Sequence, residues 1–263
     1  MLAFSACGTS GTSGSKAVQP DVIGDSGRIA CVGDSTTYGA GVMKTRDTES
    51  YPALLQGMLG DAVTVSNFGM GGQTVMAGTD APYREHSIFR STRKEPSDIY
   101  IIMMGTNDAK NAYWDAELFR SELLDFVKDY QQLDSHPQIY LMTPVSVYVV
   151  DGESDVKFDI NADNLEIAAQ IVAETAQEQE LPLIDIHALT KDHPEWYFDG
   201  VHPNKVGNAA IAQAVSRLNA GNDDRTGGCT TWRNGIGKTI FCLQRFQSKP
   251  VSACRSPSEK ALS

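Results

Sequence analysis

A chain of 263 residues with 41% apolar and 21% charged content has enough material for one large α/β domain or two small ones with a sizeable core. Its net charge of −11 argues against nucleic acid as a partner, since phosphate binding needs clustered Lys and Arg. No apolar run reaches the roughly 18 residues of a membrane span.

The first residues, "MLAFSACGTSGTSGSKAVQP", resemble the end of a bacterial lipoprotein signal. Cys7 would be the acylated residue, and a Gly/Ser/Thr linker follows it. A complete signal peptide has a basic start and about 7–15 apolar residues, and only Met1 to Phe4 precede this stretch. Export with a lipid anchor and a cytoplasmic start therefore stand as alternatives. On either, residues 1–26 are expected to be a tether.

"RIACVG" (28–33) reads as a buried strand closed by glycine. "TESYPALLQGMLG" (48–60) predicts a helix stopped at Gly60, and the β-branched "AVTVSNFG" (62–69) a second strand. "PYREHSIFRSTRKEP" (82–96) predicts a helix ended by Pro96. "DIYIIMMG" (98–105) is continuously apolar, as a parallel strand covered on both faces should be. The stripe Leu118, Phe119, Leu123, Phe126, Val127 marks an amphipathic helix over 114–133. A fourth strand (138–144), a helix (161–180), a fifth strand (181–187) and a last helix (204–220) follow. Strands alternating with helices mean βαβ units, hence a largely parallel sheet with helices on both faces.

Beyond residue 220 the charge balance reverses. Residues 1–220 carry 15 basic against 30 acidic side chains, residues 221–263 carry 7 against 3. The expected organisation is a tether (1–26), a folded domain (27–220) and a basic, poorly ordered extension (221–263). Of the five cysteines, Cys7 and Cys31 lie early and Cys229, Cys242 and Cys254 in the extension. None is in a CxxC pair, so neither zinc nor any other metal is expected.

In open parallel sheets the working residues lie just past the carboxyl ends of the strands. Three strand ends here carry polar, glycine-rich clusters: Gly33-Asp34-Ser35, "NFGMGGQT" (67–74) and "GTND" (105–108). A fourth cluster, "FDGVHPN" (198–204), precedes the last helix. A serine hydroxyl becomes nucleophilic when a neighbouring base takes its proton, and a histidine base needs an acceptor on its other nitrogen. Asp199 and His202, three apart, can meet in one tight turn. Backbone N–H groups at Ser35 and Gly72 and the Asn107 amide are candidate donors to a developing oxyanion. His187, at a strand end, is the rival histidine. The phosphate-binding alternatives fail on spacing: position 74, the last glycine of a G-x-G-x-x-G, is Thr74, and "NGIGKT" lacks its first glycine because position 232 is Trp232.

Taken together, a serine in a GDS block, a glycine, an asparagine in G-x-N-D and a histidine in D-x-x-H resemble the SGNH hydrolase superfamily, the GDSL-type esterases and lipases. Here they stand in order as Ser35, Gly72, Asn107 and His202, over about residues 28–220. The resemblance implies a three-layer αβα sandwich with a flavodoxin-like, five-stranded parallel sheet. It also implies ester hydrolysis without metal or cofactor, with Ser35 as nucleophile, His202 as proton shuttle and Asp199 orienting it. Thr36 departs from the leucine of the GDSL name, and Gly69 and Gly71 remain rivals of Gly72 at the oxyanion. The blocks look most like those of carbohydrate and sialate O-acetylesterases, so the expected substrate is a small, acetyl-type ester on a sugar. Asp34, Tyr38, Trp114 and Trp196 are the candidate substrate contacts. A lysophospholipase, thioesterase or arylesterase on the same fold is one alternative, and a catalytically silent carbohydrate-binding domain is another.

Overall fold

The computed structural model describes residues 27–94 and 96–217, together with the backbone of 231–234 and 237–240. The expectations for the tether, the Cys7 anchor and most of the basic extension lie outside these residues. The chain divides into two units after Gly221.

In the first unit the elements run β1 (Gly27–Gly33), α1 (Ser35–Tyr38), α2 (Arg46–Glu49), α3 (Tyr51–Leu59), β2 (Val63–Gly69), α4 (Ser87–Lys94), β3 (Ile99–Met103) and α5 (Ala116–Gln131). They continue through β4 (Gln138–Met142), α6 (Ala162–Glu178), β5 (Leu183–Ile184), α7 (Ile186–Thr190) and α8 (Lys205–Ser216). In the second unit, β6 (Thr231–Asn234) and β7 (Gly237–Ile240) pair antiparallel.

The five strands of the first unit form one all-parallel sheet in the order β2-β1-β3-β4-β5, the expected flavodoxin-like order. Successive side chains along a strand point to opposite faces, which explains why β3 and residues 29–32 of β1 are apolar throughout. Ala30, Val32, Tyr100 and Ile102 pack with Phe119, Phe126 and Tyr130 of α5 and Ile171 and Val172 of α6. Ile29, Cys31, Ile99, Ile101 and Met103 pack with Tyr51 and Leu55 of α3 and Ile211 and Val215 of α8. Two cores back to back on one sheet make the three-layer αβα sandwich.

Three elements differ from expectation. The helix over 48–60 breaks at Ser50, whose backbone is extended (ψ 151°). Pro52 lacks the N–H that a continuous helix would need there, and serves instead in the first turn of α3. The fifth strand is cut to two residues, because the Asp185 side chain accepts the Ala188 N–H (3.0 Å) and starts α7. Ahead of α4, residues Tyr83–Glu85 form a separate 3-10 turn.

Register sets the position of the site. Gly33 of β1 lies opposite Gly69 of β2 and opposite Met103 of β3. These three adjacent strands therefore end level, and the polar clusters that follow them share one edge at the switch point between β1 and β3.

Candidate active site

The serine sits on a one-turn helix. Asp34 ends β1 and accepts the Thr36 N–H on its Oδ1 (2.9 Å), capping α1 and leaving Ser35 as the first helical residue. At that position the Ser35 N–H has no partner within the helix. Close packing against β2 holds the turn in place. A Cβ on Gly69 would stand 2.0 Å from the Tyr38 nitrogen, so only glycine lets α1 settle there. The Met70 N–H bonds the Gly33 carbonyl (3.0 Å) and draws the next loop against the end of β1.

The histidine arrives on the loop before α8. Asp199 Oδ1 accepts the backbone N–H groups of Val201 (3.0 Å) and His202 (2.8 Å), so the carboxylate first shapes the turn. Its Oδ2 then lies 2.8 Å from His202 Nδ1. The other ring nitrogen, Nε2, lies 3.0 Å from Ser35 Oγ. Burial alone would raise the Asp199 carboxyl. The hydrogen bonds from the His202 ring and from the two backbone N–H groups, with the imidazole charge, outweigh it and hold the group at about 2. The loop is fixed from outside by Tyr148 N–H on the Gly200 carbonyl (2.8 Å) and Asn204 N–H on the Trp196 carbonyl (2.7 Å).

The donor side is assembled by the other two clusters. Asn107, almost fully buried, donates one amide hydrogen to the Gln73 carbonyl (3.1 Å). An amide carries two hydrogens, so the second remains for a ligand. Asp108, fully buried, accepts the N–H groups of Val75 and Met76 on Oδ1, each at 2.9 Å. The third strand end thereby clamps the glycine loop of the second. Gly72 takes a left-handed φ of 78° and has free space where a side chain would be. A Cβ on Gly71 would come within 4.0 Å of the Ser35 Cβ.

Ser35, His202 and Asp199 thus form one continuous hydrogen-bonded chain. The candidate substrate contacts lie as follows. Asp34 is 1% exposed and works as a helix cap, which places it behind the serine rather than against a substrate. Tyr38 lies under the Arg46 guanidinium, 4.1 Å from its ring centre. Trp114 packs on Phe119 (5.6 Å between centroids) and on the α5 side of the core. Trp196 stacks flat on His193 at 3.7 Å. Each of these three rings packs on a neighbour and stays half-buried. His187 faces Glu166, with Nε2 3.0 Å from Oε2, and takes no part in the site.

The aromatic ring that does meet the site is Phe158, whose ring centre lies 5.2 Å from that of His202 in an edge-on arrangement. Nothing in the stretch "VKFDI" distinguishes it as a sequence. Among the described residues there is no group of three or more His, Cys, Asp or Glu that could hold a metal ion, and no helix long and apolar enough to cross a membrane.

This geometry defines the class. A GDSL-like Lipase/Acylhydrolase family model matches residues 31–210, and the chain belongs to that family. It is 31% identical over 214 residues to an acetylxylan esterase of Xylanibacter ruminicola, a match that covers 73% of this chain. The chain spans only 43% of that relative's length. Among solved structures it resembles a carbohydrate acetylesterase family member from Sinorhizobium meliloti (TM-score 0.62, 20% identity, 73% of this chain and 96% of that one). It also resembles the native aryl esterase of M. smegmatis (TM-score 0.58, 20% identity, 72% and 96%). These structural likenesses bear on the fold.

Proposed function

We propose that the protein is a serine esterase that removes small acyl groups, acetyl foremost, from carbohydrate esters. The observation that carries this reading is the chain Asp199 Oδ2–His202 Nδ1 and His202 Nε2–Ser35 Oγ, at 2.8 and 3.0 Å. Family membership supports the ester chemistry, and the name of the X. ruminicola relative supports the acetyl group and the sugar.

Ser35 Oγ attacks the ester carbonyl carbon while His202 Nε2 takes its proton. Asp199 holds the ring in the tautomer that leaves Nε2 free to accept, and stabilises the imidazolium that forms. The oxyanion is met by the Ser35 and Gly72 N–H groups and by the second Asn107 amide hydrogen. One such donor is typically worth ~10²–10³ in turnover. Collapse expels the alcohol, which takes the proton from Nε2 and leaves an acyl-Ser35. Water then attacks that ester with His202 again as base, releasing the acid and restoring the serine.

The test is hydrolysis of p-nitrophenyl acetate and of acetylated xylan by the wild type beside Ser35→Ala. Hydrolysis of both by the wild type, lost in the variant, is the expected result. A variant that keeps its rate would overturn the nucleophile, and a wild type inert on both would overturn the esterase.

A further inference from the structure

Phe158 carries two unfavourable features at once. Its backbone lies in the left-handed region (φ 65°, ψ 25°), and so does that of its neighbour Asp159 (φ 60°). For a bulky residue this is a genuine outlier. Its side chain is also 52% exposed, although it is among the larger apolar groups of the chain. The surroundings hold it there. Asn111 N–H bonds the Asp159 carbonyl (3.2 Å), Asn161 N–H bonds the Ala109 carbonyl (3.2 Å), and Lys110 and Ile160 form an antiparallel bridge. The turn is thus pinned to the segment just after "GTND", and its ring stands against His202.

The chemistry says which part of a substrate would meet that ring. His202 Nε2 hands its proton to the departing alcohol, so a group beside the imidazole lies on the alcohol's side of the ester. Two of the oxyanion donors, Gly72 and Asn107, come from the loops after β2 and β3. At Asp159 opens a cleft of about 630 Å³ in which Asn111, Ser154, Asp155 and Asn161 alternate with the apolar Val149, Val156 and Ile160. Amide and carboxylate oxygens with neighbouring N–H donors suit a ligand bearing many hydroxyls, each both donor and acceptor.

We propose that Phe158 is a specificity-determining residue: its exposed face is the platform for the pyranose ring that carries the acyl group, and the mixed polar and apolar cleft at Asp159 takes the ring's hydroxyls or the next sugar. This rests on the esterase reading above. Sugar rings present C–H edges that pack on an aromatic face, and a well-placed aromatic contact contributes about tenfold in binding.

The experiment compares two acetates that differ only in the alcohol, an O-acetylated methyl xylopyranoside and ethyl acetate, on wild type, Phe158→Gly and Phe158→Tyr. Glycine accepts the left-handed backbone and removes the ring, so Tm should not fall. In Phe158→Gly the preference for the sugar ester over ethyl acetate, as a ratio of kcat/KM, should drop about tenfold, mainly through KM. Phe158→Tyr should keep the preference. If both esters slow by the same factor in Phe158→Gly, the ring serves only His202 and the platform is overturned. An unchanged ratio overturns it equally. A wild type inactive on both esters would instead show that the esterase reading has failed, and the platform with it.

Discussion

At the scale of single residues, Asp199 has two tasks that one substitution can separate. Its Oδ1 shapes the loop by accepting two backbone N–H groups, and its Oδ2 partners the imidazole. Asp199→Asn keeps a carbonyl oxygen for the first task and loses the carboxylate for the second. The fold should therefore be retained while turnover drops by about 10³–10⁴. Circular dichroism beside kcat on p-nitrophenyl acetate checks both halves, and a variant within tenfold of the wild type would show that His202 works without its acid. Because the carboxyl is held at about 2, it stays ionised across any ordinary assay range. An acid limb in the pH–rate profile therefore arises from another group.

At the scale of elements, the turn carrying Ser35 depends on a strand further along the chain. A Cβ at Gly69 would meet not only the Tyr38 nitrogen at 2.0 Å but the Thr37 carbonyl carbon at 2.5 Å, both backbone atoms that cannot swing aside. Gly69→Ala should destabilise by about 1–3 kcal/mol through overpacking. It should also cut kcat, because the displaced element is the one that bears Ser35, the proposed nucleophile. Urea melts and kcat on the same preparation test this, and a variant that is less stable yet fully active would argue against the coupling. The same dependence separates what a sequence reveals from what it hides. β3 is legible because a strand covered on both faces must be apolar throughout, and residues 29–32 of β1 for the same reason. Ser35, Asn107, Asp199 and His202 are legible because their spacing places them at strand and loop ends. The helix α1 is not: "STTY" is four residues, two of them β-branched, and is helical only because Asp34 caps it and Gly69 makes room. The shortened β5 shows the reverse case, where a cap residue, Asp185, overrides an apolar run. Phe158 cannot be read at all, since its backbone is set by contacts with residues 109–111, far away along the chain.

At the scale of the whole molecule, the carboxyls of Asp199 and Asp108 pull stability in opposite directions with pH. Asp199 sits below its ordinary value, so its contribution is complete above about pH 4 and is lost as pH falls toward 2. Asp108 is the opposite case. Burial drives it up, the Met76 and Val75 N–H groups offset part of that, the charge of Asp34 adds to it, and the result is about 7. Asp34 is likewise raised, chiefly by burial. A carboxyl whose folded value exceeds its unfolded one binds more protons in the native state, so stability declines as pH rises from about 4 through 7 and levels off above. Each tenfold change in proton affinity is worth ~1.4 kcal/mol, which makes the effect of Asp108 a few kcal/mol. Asp108→Asn isolates it, because the amide keeps an oxygen for the Val75 and Met76 N–H groups and removes the charge. Burying the new amide alters stability by an amount that does not change with pH, so the slope carries the result rather than the offset. Between about pH 5 and pH 8 the urea midpoint of the wild type should fall by more than that of Asp108→Asn, and parallel profiles would sink the assignment. The cost is borne at the clamp that holds the Gln73–Met76 segment against Asn107, which ties the stability of the fold to the geometry of the proposed oxyanion donors.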